Sequence, residues 1–505
     1  MSATQQADVD DILSFVQESG GRFLRPQCSI QLSPEGGLGV FAAEDIAANT
    51  VLLRVPKSAV FSAPNSSIAN LLLEEGLHGM LALVIAFIYE TTGFRNASHW
   101  CKYLHSIRYT DARGNLVLPP SFWPAKSKHP LRVTALNTLH HALDAEPEVV
   151  DGYERAVACA YKWRTEADLP IPPLLRRPGT DDQRTRGLRR FVAVTYALAS
   201  RAFDIDDFHG NGLVPIADLF NHHVTRPHVR FEAAADVCVI CGESGPCGHS
   251  HTGLQAESQP LLPNAELCVR EPVERPVSLT AKIQEDHAAD TSTGTPPEAS
   301  WLSFPADDCV DIRAVADIRR DTEIYNTYGE LSNPLLLARY GFRVLHNPHD
   351  VAHFAPEVRR LCNQGGQGLV SRLRWWQQTG YALYCKVTGA SDDGDSWQDA
   401  VYADSSGEPS PALWALAELL SGAGNGWRMM RRSPVTAASV WSRRNANGGR
   451  NRRALTVLRR LAALKRALLL AALPERHSMG TELLEDEISI VNRLLEKLGR
   501  SRKAL

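Results

Sequence analysis

The 505-residue chain is 44% hydrophobic and 22% charged, with a net charge of −3. That balance belongs to a folded globular protein and excludes both a disordered acidic chain and a strongly basic nucleic-acid binder. Its length exceeds what one hydrophobic core serves, and its longest apolar run, residues 80–88, is far short of the roughly 20 residues that a membrane span needs.

In chain order, the opening MSATQQADVDDILSF lacks a basic start followed by an apolar stretch. It does not read as a secretory signal, and the expected location is the cytoplasm, with the nucleus also open. The ten cysteines then read as thiols or metal ligands, not as a disulfide framework. Within residues 1–21, Ile12, Phe15 and Val16 share one face and predict a helix over 9–18. From 28 to 61 the pattern changes to short strands punctuated by glycine and polar turns, which suits a small antiparallel sheet. Residues 68–190 read as a helical insertion. There MLALVIAFIYE is a buried helix halted by Gly93, and Trp100, Tyr103, Leu104 and Ile107 recur at helical spacing. Proline and glycine make 170–182 a loop, and another helix spans 188–203 before LVPIADLFNHH.

Residues 232–300 form a second insertion. It carries Cys238-x-x-Cys241-x5-Cys247-x-His249, with His251 two residues on, and ends in QEDHAADTSTGTPPEAS, which has too little to bury and reads as disordered. The four ligating groups suit a small structural zinc knuckle; reduced thiols in a loop are the other reading. Strand-like sequence resumes over 309–318 and runs into EIYNTYGELSNPLLLARYGF. Residues 346–505 read as helices, with breaks near 363–368, 390–408 and 445–451. In the last helix Leu484, Ile488, Val491, Leu495 and Leu498 make a seam that is expected to pack on the helix over 454–473, being too short for an intermolecular coiled coil. The arginine-rich 428–453 reads as a solvated loop, with an importer signal or a ribosomal RNA contact as the alternatives.

Three short motifs stand out. Gly36-Gly37-Leu38-Gly39 lets backbone turn tightly or approach a ligand closely, but its spacing is not G-x-G-x-x-G and no helix follows at once to meet a pyrophosphate. Asp218-Leu219-Phe220-Asn221-His222 ends an apolar segment, and Tyr328-Gly329 precedes Ser332-Asn333 and Tyr340-Gly341-Phe342. Taken singly, these are a hairpin turn, an Asn-His turn and ordinary tyrosines.

Their order, with the text between them, resembles the SET-domain protein methyltransferases. Within that family it resembles the subgroup of the plant Rubisco large-subunit methyltransferase and the actin-histidine methyltransferase. The segments GGLGVFAAEDIAANTVLLRVP, SHWCKYLHSI, ALASRAFDI, LVPIADLFNHH and EIYNTYGELSNPLLLARYGF carry the likeness over 22–345, and a looser likeness continues beyond. The resemblance implies an α+β fold: an N-terminal helix, a β-rich SET core of short antiparallel strands over 22–345 with the two insertions, and an all-α C-terminal substrate-binding domain over 346–505. It implies S-adenosylmethionine as methyl donor and a protein as acceptor; the near-neutral charge gives no reason to expect a direct nucleic-acid partner, and a monomeric enzyme is expected.

By the same resemblance, Gly36, Gly37 and Leu38 bring backbone against the donor, Arg201 holds its carboxylate, and Asp218, Asn221 and His222 lie along it. Tyr328 matches the catalytic tyrosine at the methyl-transfer pore, while Tyr340, Gly341 and Phe342 close the donor pocket; Tyr325 is a supporting residue. One departure is that the position before the Gly-Leu turn, often acidic in the subgroup, is Gly36, with Glu35 beside it. A lysine acceptor has a pKa near 10.4, so only about one in 10³ is neutral at pH 7, and forcing that form costs roughly 4–5 kcal/mol unless a narrow apolar channel desolvates it. A histidine acceptor, near 6.5, needs no such step. Lysine on a ribosomal protein or elongation factor is the expectation; histidine methylation and a catalytically silent SET fold acting as a binding module are the alternatives.

Overall fold

The computed structural model describes residues 1–34, 36–145, 147–234, 237–244, 247–249, 308–389, 396–422, 427, 452–474 and 479–500. The chain divides into two compact units, one of residues 1–118 and 146–329 and the other of 119–145 and 330–505.

In the first unit, helix α1 (Ala3–Glu18) starts earlier than its apolar stripe implies. Ser2 and Gln5 form a reciprocal capping box, which satisfies two orphan backbone donors and extends the helix outward by a turn and more. Its buried face, including Ile12, Phe15 and Val16, meets the aromatic stripe: the Phe15 ring lies 5.6 Å from Trp100 and stacks 6.1 Å from Tyr103. Helix α2 (Gly79–Ile88) is apolar all round and buried all round from Ala82 to Ile88, as a core helix should be. It packs against α4 (Asp181–Ala199) and strand β7 (Asn211–Leu213). A wide turn over Tyr89–Phe94 carries the chain past Gly93 and ends at Arg95, at φ +53°, and α3 (Pro147–Glu166) packs beside α4.

Three small antiparallel sheets complete this unit. Strand β4 (Val51–Pro56) lies between β1 (Arg22–Phe23) and β9 (Cys309–Ala314), and β8 (Val229–Ala233) lies outside β9. Strands β2 (Cys28–Leu32) and β3 (Leu38–Ala42) form a hairpin whose far edge is closed by β10 (Glu323–Ile324). Strands β5 (Phe61–Ser62) and β6 (Phe203–Asp204) flank β7. Each ladder thus joins the N-terminal strands to segments that lie beyond the helical insertion.

The second unit holds helices α5 (Asn333–Tyr340), α6 (Ala355–Gln364), α7 (Gln367–Trp375), α8 (Tyr381–Thr388), α9 (Pro411–Ser421), α10 (Arg452–Ala472) and α11 (Met479–Arg500). The expected break near 363–368 falls at Gly365 and Gly366, the latter at φ +84°. Helix α11 buries Leu484, Val491 and Leu498 and packs along α10, so the seam is intramolecular. Two features differ from the sequence reading. The region is not all-α, because β11 (Val351–His353) pairs antiparallel with β12 (Tyr402–Asp404); three-residue strands are too short to show a two-residue period. Residues 119–145, read as part of the helical insertion, belong to this second unit, and its core takes in Leu131, Leu136 and Leu143. The boundary after 329, earlier than the expected 345, has the same cause: Leu337 and Ala338 of α5 join that core. Most of the polar insertion after 249, most of the arginine-rich stretch and the expected break near 445–451 lie outside the described residues.

Candidate functional site

The site in the first unit is built where three distant segments meet. Between β2 and β3 the chain turns through Gly36 and Gly37, at φ +106° and +74°, a region that side chains rarely adopt. Nothing lies within 4 Å of a Cβ built on either, so this turn borders open space. Glu35 lies outside the described residues. Gly39 is the opposite case: a Cβ there would collide with the Glu323 carboxylate and come within 3.1 Å of Asn221 Nδ2.

Glu323 gathers the site's polar groups. Asn221 Nδ2 donates to its Oε1 at 2.7 Å and to the Leu38 carbonyl at 3.2 Å. Ser33 Oγ and the Tyr325 hydroxyl each donate to Oε2 at 3.0 Å. A buried carboxylate with three charge-assisted bonds is satisfied and rigid. The sequence reading did not single it out. The available signal was an acidic residue opening the strand before Y-N-T-Y-G, and Tyr325, read as supporting, supports by this bond.

The segments around Asn221 and Tyr328 are held parallel. Asn326 N donates to Asn221 O at 2.8 Å, and His223 N donates to Asn326 O at 2.9 Å. His222 Nδ1 accepts the Tyr328 N–H at 3.0 Å, which places the imidazole proton of the neutral ring on Nε2. The His222 and Tyr328 rings stack with centroids 5.0 Å apart. The Tyr328 hydroxyl donates to the Phe220 carbonyl at 3.4 Å. The ring is thereby fixed at its base by histidine and at its tip by backbone.

Arg201 follows the end of α4, and Asp218 lies in the turn Ala217–Leu219. Just before that turn Ile216 sits at φ +69° with its side chain fully buried. A β-branched residue there is strained, and it opens the turn that carries Asp218. Arg201 Nη1 lies 3.4 Å from Asp218 Oδ2; the arginine side chain is 34% exposed and the aspartate 5%. Burial raises the Asp218 pKa, with Arg201 opposing. Burial also pushes the Tyr103 hydroxyl well up; Asp218 adds to this and Arg201 opposes it. Among the described residues, Asp218 Oδ1, Arg201 Nε and the Tyr103 hydroxyl are buried without a hydrogen-bond partner.

Tyr340, Gly341 and Phe342 lie in the second unit. Gly341, at φ +81°, caps α5 by donating to Leu336 O and Leu337 O, and the Tyr340 and Phe342 rings lie 6.2 Å apart. Burial raises the Tyr340 hydroxyl. Cys238, Cys241, Cys247 and His249, which follow β8, place one ligand atom each within 4.8 Å of one another. No disulfide joins any of the nine described cysteines.

No family model matches the chain. It is 40% identical over 461 residues to ribosomal lysine N-methyltransferase 3 of Saccharomyces cerevisiae, covering 83% of each. It is 23% identical to ribosomal lysine N-methyltransferase 4 of Schizosaccharomyces pombe, covering 64% of each. Among solved structures, the crystal structure of the SET domain of LSMT bound to MeLysine and AdoHcy aligns with a TM-score of 0.50 and 17% identity, over 98% of this chain and 91% of that one. That last likeness concerns the fold alone.

Proposed function

The chain belongs to the SET-domain protein-lysine N-methyltransferases, which use S-adenosylmethionine, and we propose that its protein substrate is a ribosomal protein. The observation that carries the substrate reading is the 40% identity to the yeast ribosomal lysine N-methyltransferase, which runs through 83% of both chains.

The donor supplies a methyl group on a positively charged sulfur, open to attack by an uncharged amine. The chain's own residues have two tasks: to hold the donor's amino-acid end and to present the lysine neutral. The orphaned atoms fit the first task. Arg201 would hold the donor's carboxylate, since its Nε and exposed edge are available and its planar fork suits that group. Asp218 Oδ1 and the Tyr103 hydroxyl would take the donor's ammonium. Gly36, Gly37 and Leu38 would offer backbone beside open space, and Asn221 would act through the Leu38 carbonyl and Glu323 that it already binds. His222 would line the donor and fix Tyr328.

For the second task, Tyr328 is the catalytic residue. Its hydroxyl donates to the Phe220 carbonyl, which fixes where that oxygen sits, and a phenol oxygen held in place would orient an amine. It is not assigned as the base; the lysine would lose its proton where apolar surroundings disfavour the ammonium.

The test is to incubate purified enzyme with labelled donor and ribosomes from cells lacking this methylation, then identify the labelled residue by mass spectrometry. Label on a lysine of one ribosomal protein is expected. Label confined to an elongation factor, or found on histidine, would overturn the substrate reading. In the same assay Tyr328→Phe should cut turnover about 100-fold, the cost of a misplaced reacting group, with donor affinity retained. Full turnover by folded Tyr328→Phe and Asn221→Ala variants would sink the site assignment.

A further inference from the structure

The cysteine and histidine cluster after β8 lies outside the methyl-transfer chemistry, and its geometry is that of a ligand set. Cys238 and Cys241 are spaced by two residues around a tight turn: Gly242 N donates to Cys238 O at 2.7 Å, and Cys238 N donates to Glu243 O at 2.9 Å. Gly242 closes that turn at φ +76°, and a Cβ there would lie 2.6 Å from the Phe208 ring. The turn is therefore seated against the partly buried Phe208 ring. Cys247 and His249 return the chain to the turn, and His249 Nδ1 lies 3.7 Å from Cys238 Sγ.

The chemistry follows from these distances. A tetrahedral zinc ion with Zn–S near 2.3 Å and Zn–N near 2.0–2.1 Å separates its ligand atoms by about 3.6–3.8 Å. The Cys238–His249 distance falls on that edge, and all four ligand atoms lie within 4.8 Å of one another. A disulfide needs two sulfurs to meet and leaves the other groups unconstrained. A loop of unconnected thiols needs no convergence at all. Here three sulfurs and one imidazole nitrogen converge from a single short segment.

We propose that Cys238, Cys241, Cys247 and His249 bind one structural zinc ion. Three thiolates and one imidazole fill the tetrahedron and leave no position for water or substrate, so the ion has no catalytic part. Loading balances as Zn²⁺ displacing the protons of three thiols. The place in the fold gives the ion its use. The first ligand, Cys238, comes five residues after the end of β8, and Ser244 Oγ donates to Asp308 Oδ1 at 2.8 Å, next to the start of β9. Strands β8 and β9 are paired along their length, so the zinc turn pins the point where the long insertion leaves their ladder. It keeps the two strand ends in register whatever the intervening chain does.

The test uses the full chain, produced with zinc in the medium and desalted without chelator. Metal analysis should find about one equivalent of zinc, and replacement by cobalt(II) should give the intense visible bands of a tetrahedral cobalt thiolate. Cys241→Ser and Cys247→Ser should lose the metal, while His249→Cys, which keeps four soft ligands, should retain it. A chelator should lower the thermal midpoint of the wild-type protein by several degrees. Below about a tenth of an equivalent of zinc, with no cobalt bands after reconstitution, overturns the proposal, as does iron in place of zinc. Both readouts are taken on wild-type protein, so a variant that fails to fold leaves the test intact.

Discussion

Two aspartates of the first unit sit in buried surroundings beside a cation, and they have opposite fates. Asp206 has every lone pair occupied. Lys57 Nζ approaches its Oδ2 at 2.8 Å, His209 Nδ1 donates to both oxygens at 2.9 Å, and the backbone N–H groups of Phe208 and His209 donate to Oδ1 at 3.0 and 2.8 Å. Burial alone would raise its pKa, but the His209 ring, the backbone donors and the Lys57 ammonium outweigh it and hold the carboxyl well below the usual range. Asp218 is also deeply placed and has one side-chain partner, Arg201, at 3.4 Å, so burial wins and its pKa rises. The lesson is that burial does not decide whether a carboxylate is structural. The completeness of its hydrogen bonding does, and an incomplete one beside a half-exposed arginine marks a place built for something else to finish.

Three measurements put that contrast at risk. The largest effect belongs to Asp206→Ala, which strands the buried Lys57 ammonium and should cost about 3–5 kcal/mol in urea unfolding. A loss below about 1 kcal/mol would show that the clamp is not structural. Next, Arg201→Met should weaken donor binding by roughly 10- to 100-fold in calorimetry, the value of a charged hydrogen bond, in a protein that still folds. If the variant bound donor normally, the incomplete pair would not be a donor site. The smallest effect is in pH dependence, and the two aspartates have opposite signs. Asp206, with its folded pKa depressed, adds stability that is present above the unfolded value of about 3.9 and lost as pH falls below it. Asp218, with its folded pKa raised, removes stability as pH rises above about 3.9. Asp206→Asn should therefore flatten the acid side of a stability–pH curve, and Asp218→Asn the side above it.

What the chain disclosed in advance followed from the range over which its signals act. The glycine turn at Gly36 and Gly37 was legible because its backbone needs are local, whereas Asn221, His222 and Tyr328 stood out only through the order of the motifs. The α2 core helix and the α11 seam were legible for a related reason, since both repeat over several turns. Glu323 was not, because its partners Ser33 and Asn221 lie far away in sequence and an isolated glutamate carries no pattern. Residues 119–145 were assigned to the wrong body because Leu131, Leu136 and Leu143 follow neither a helical nor a strand period. The orphaned polar atoms of Arg201, Asp218 and Tyr103 appear only when all three are placed, and no motif encodes an absence of partners.

The ladders around β3 and β4 also bear on how the protein is made. The hairpin β2–β3 and strand β4 leave the ribosome early, while the strands that close their open edges, β9 and β10, are among the last parts of the first unit to be synthesised. At about 5–20 residues per second, that interval is on the order of tens of seconds. Throughout it the nascent chain carries two unfinished sheet edges of largely apolar strands, which other chains can pair with. Cellular yield should therefore depend on a chaperone that shields those edges, and on how quickly the ribosome passes through the insertions that separate them from their partners.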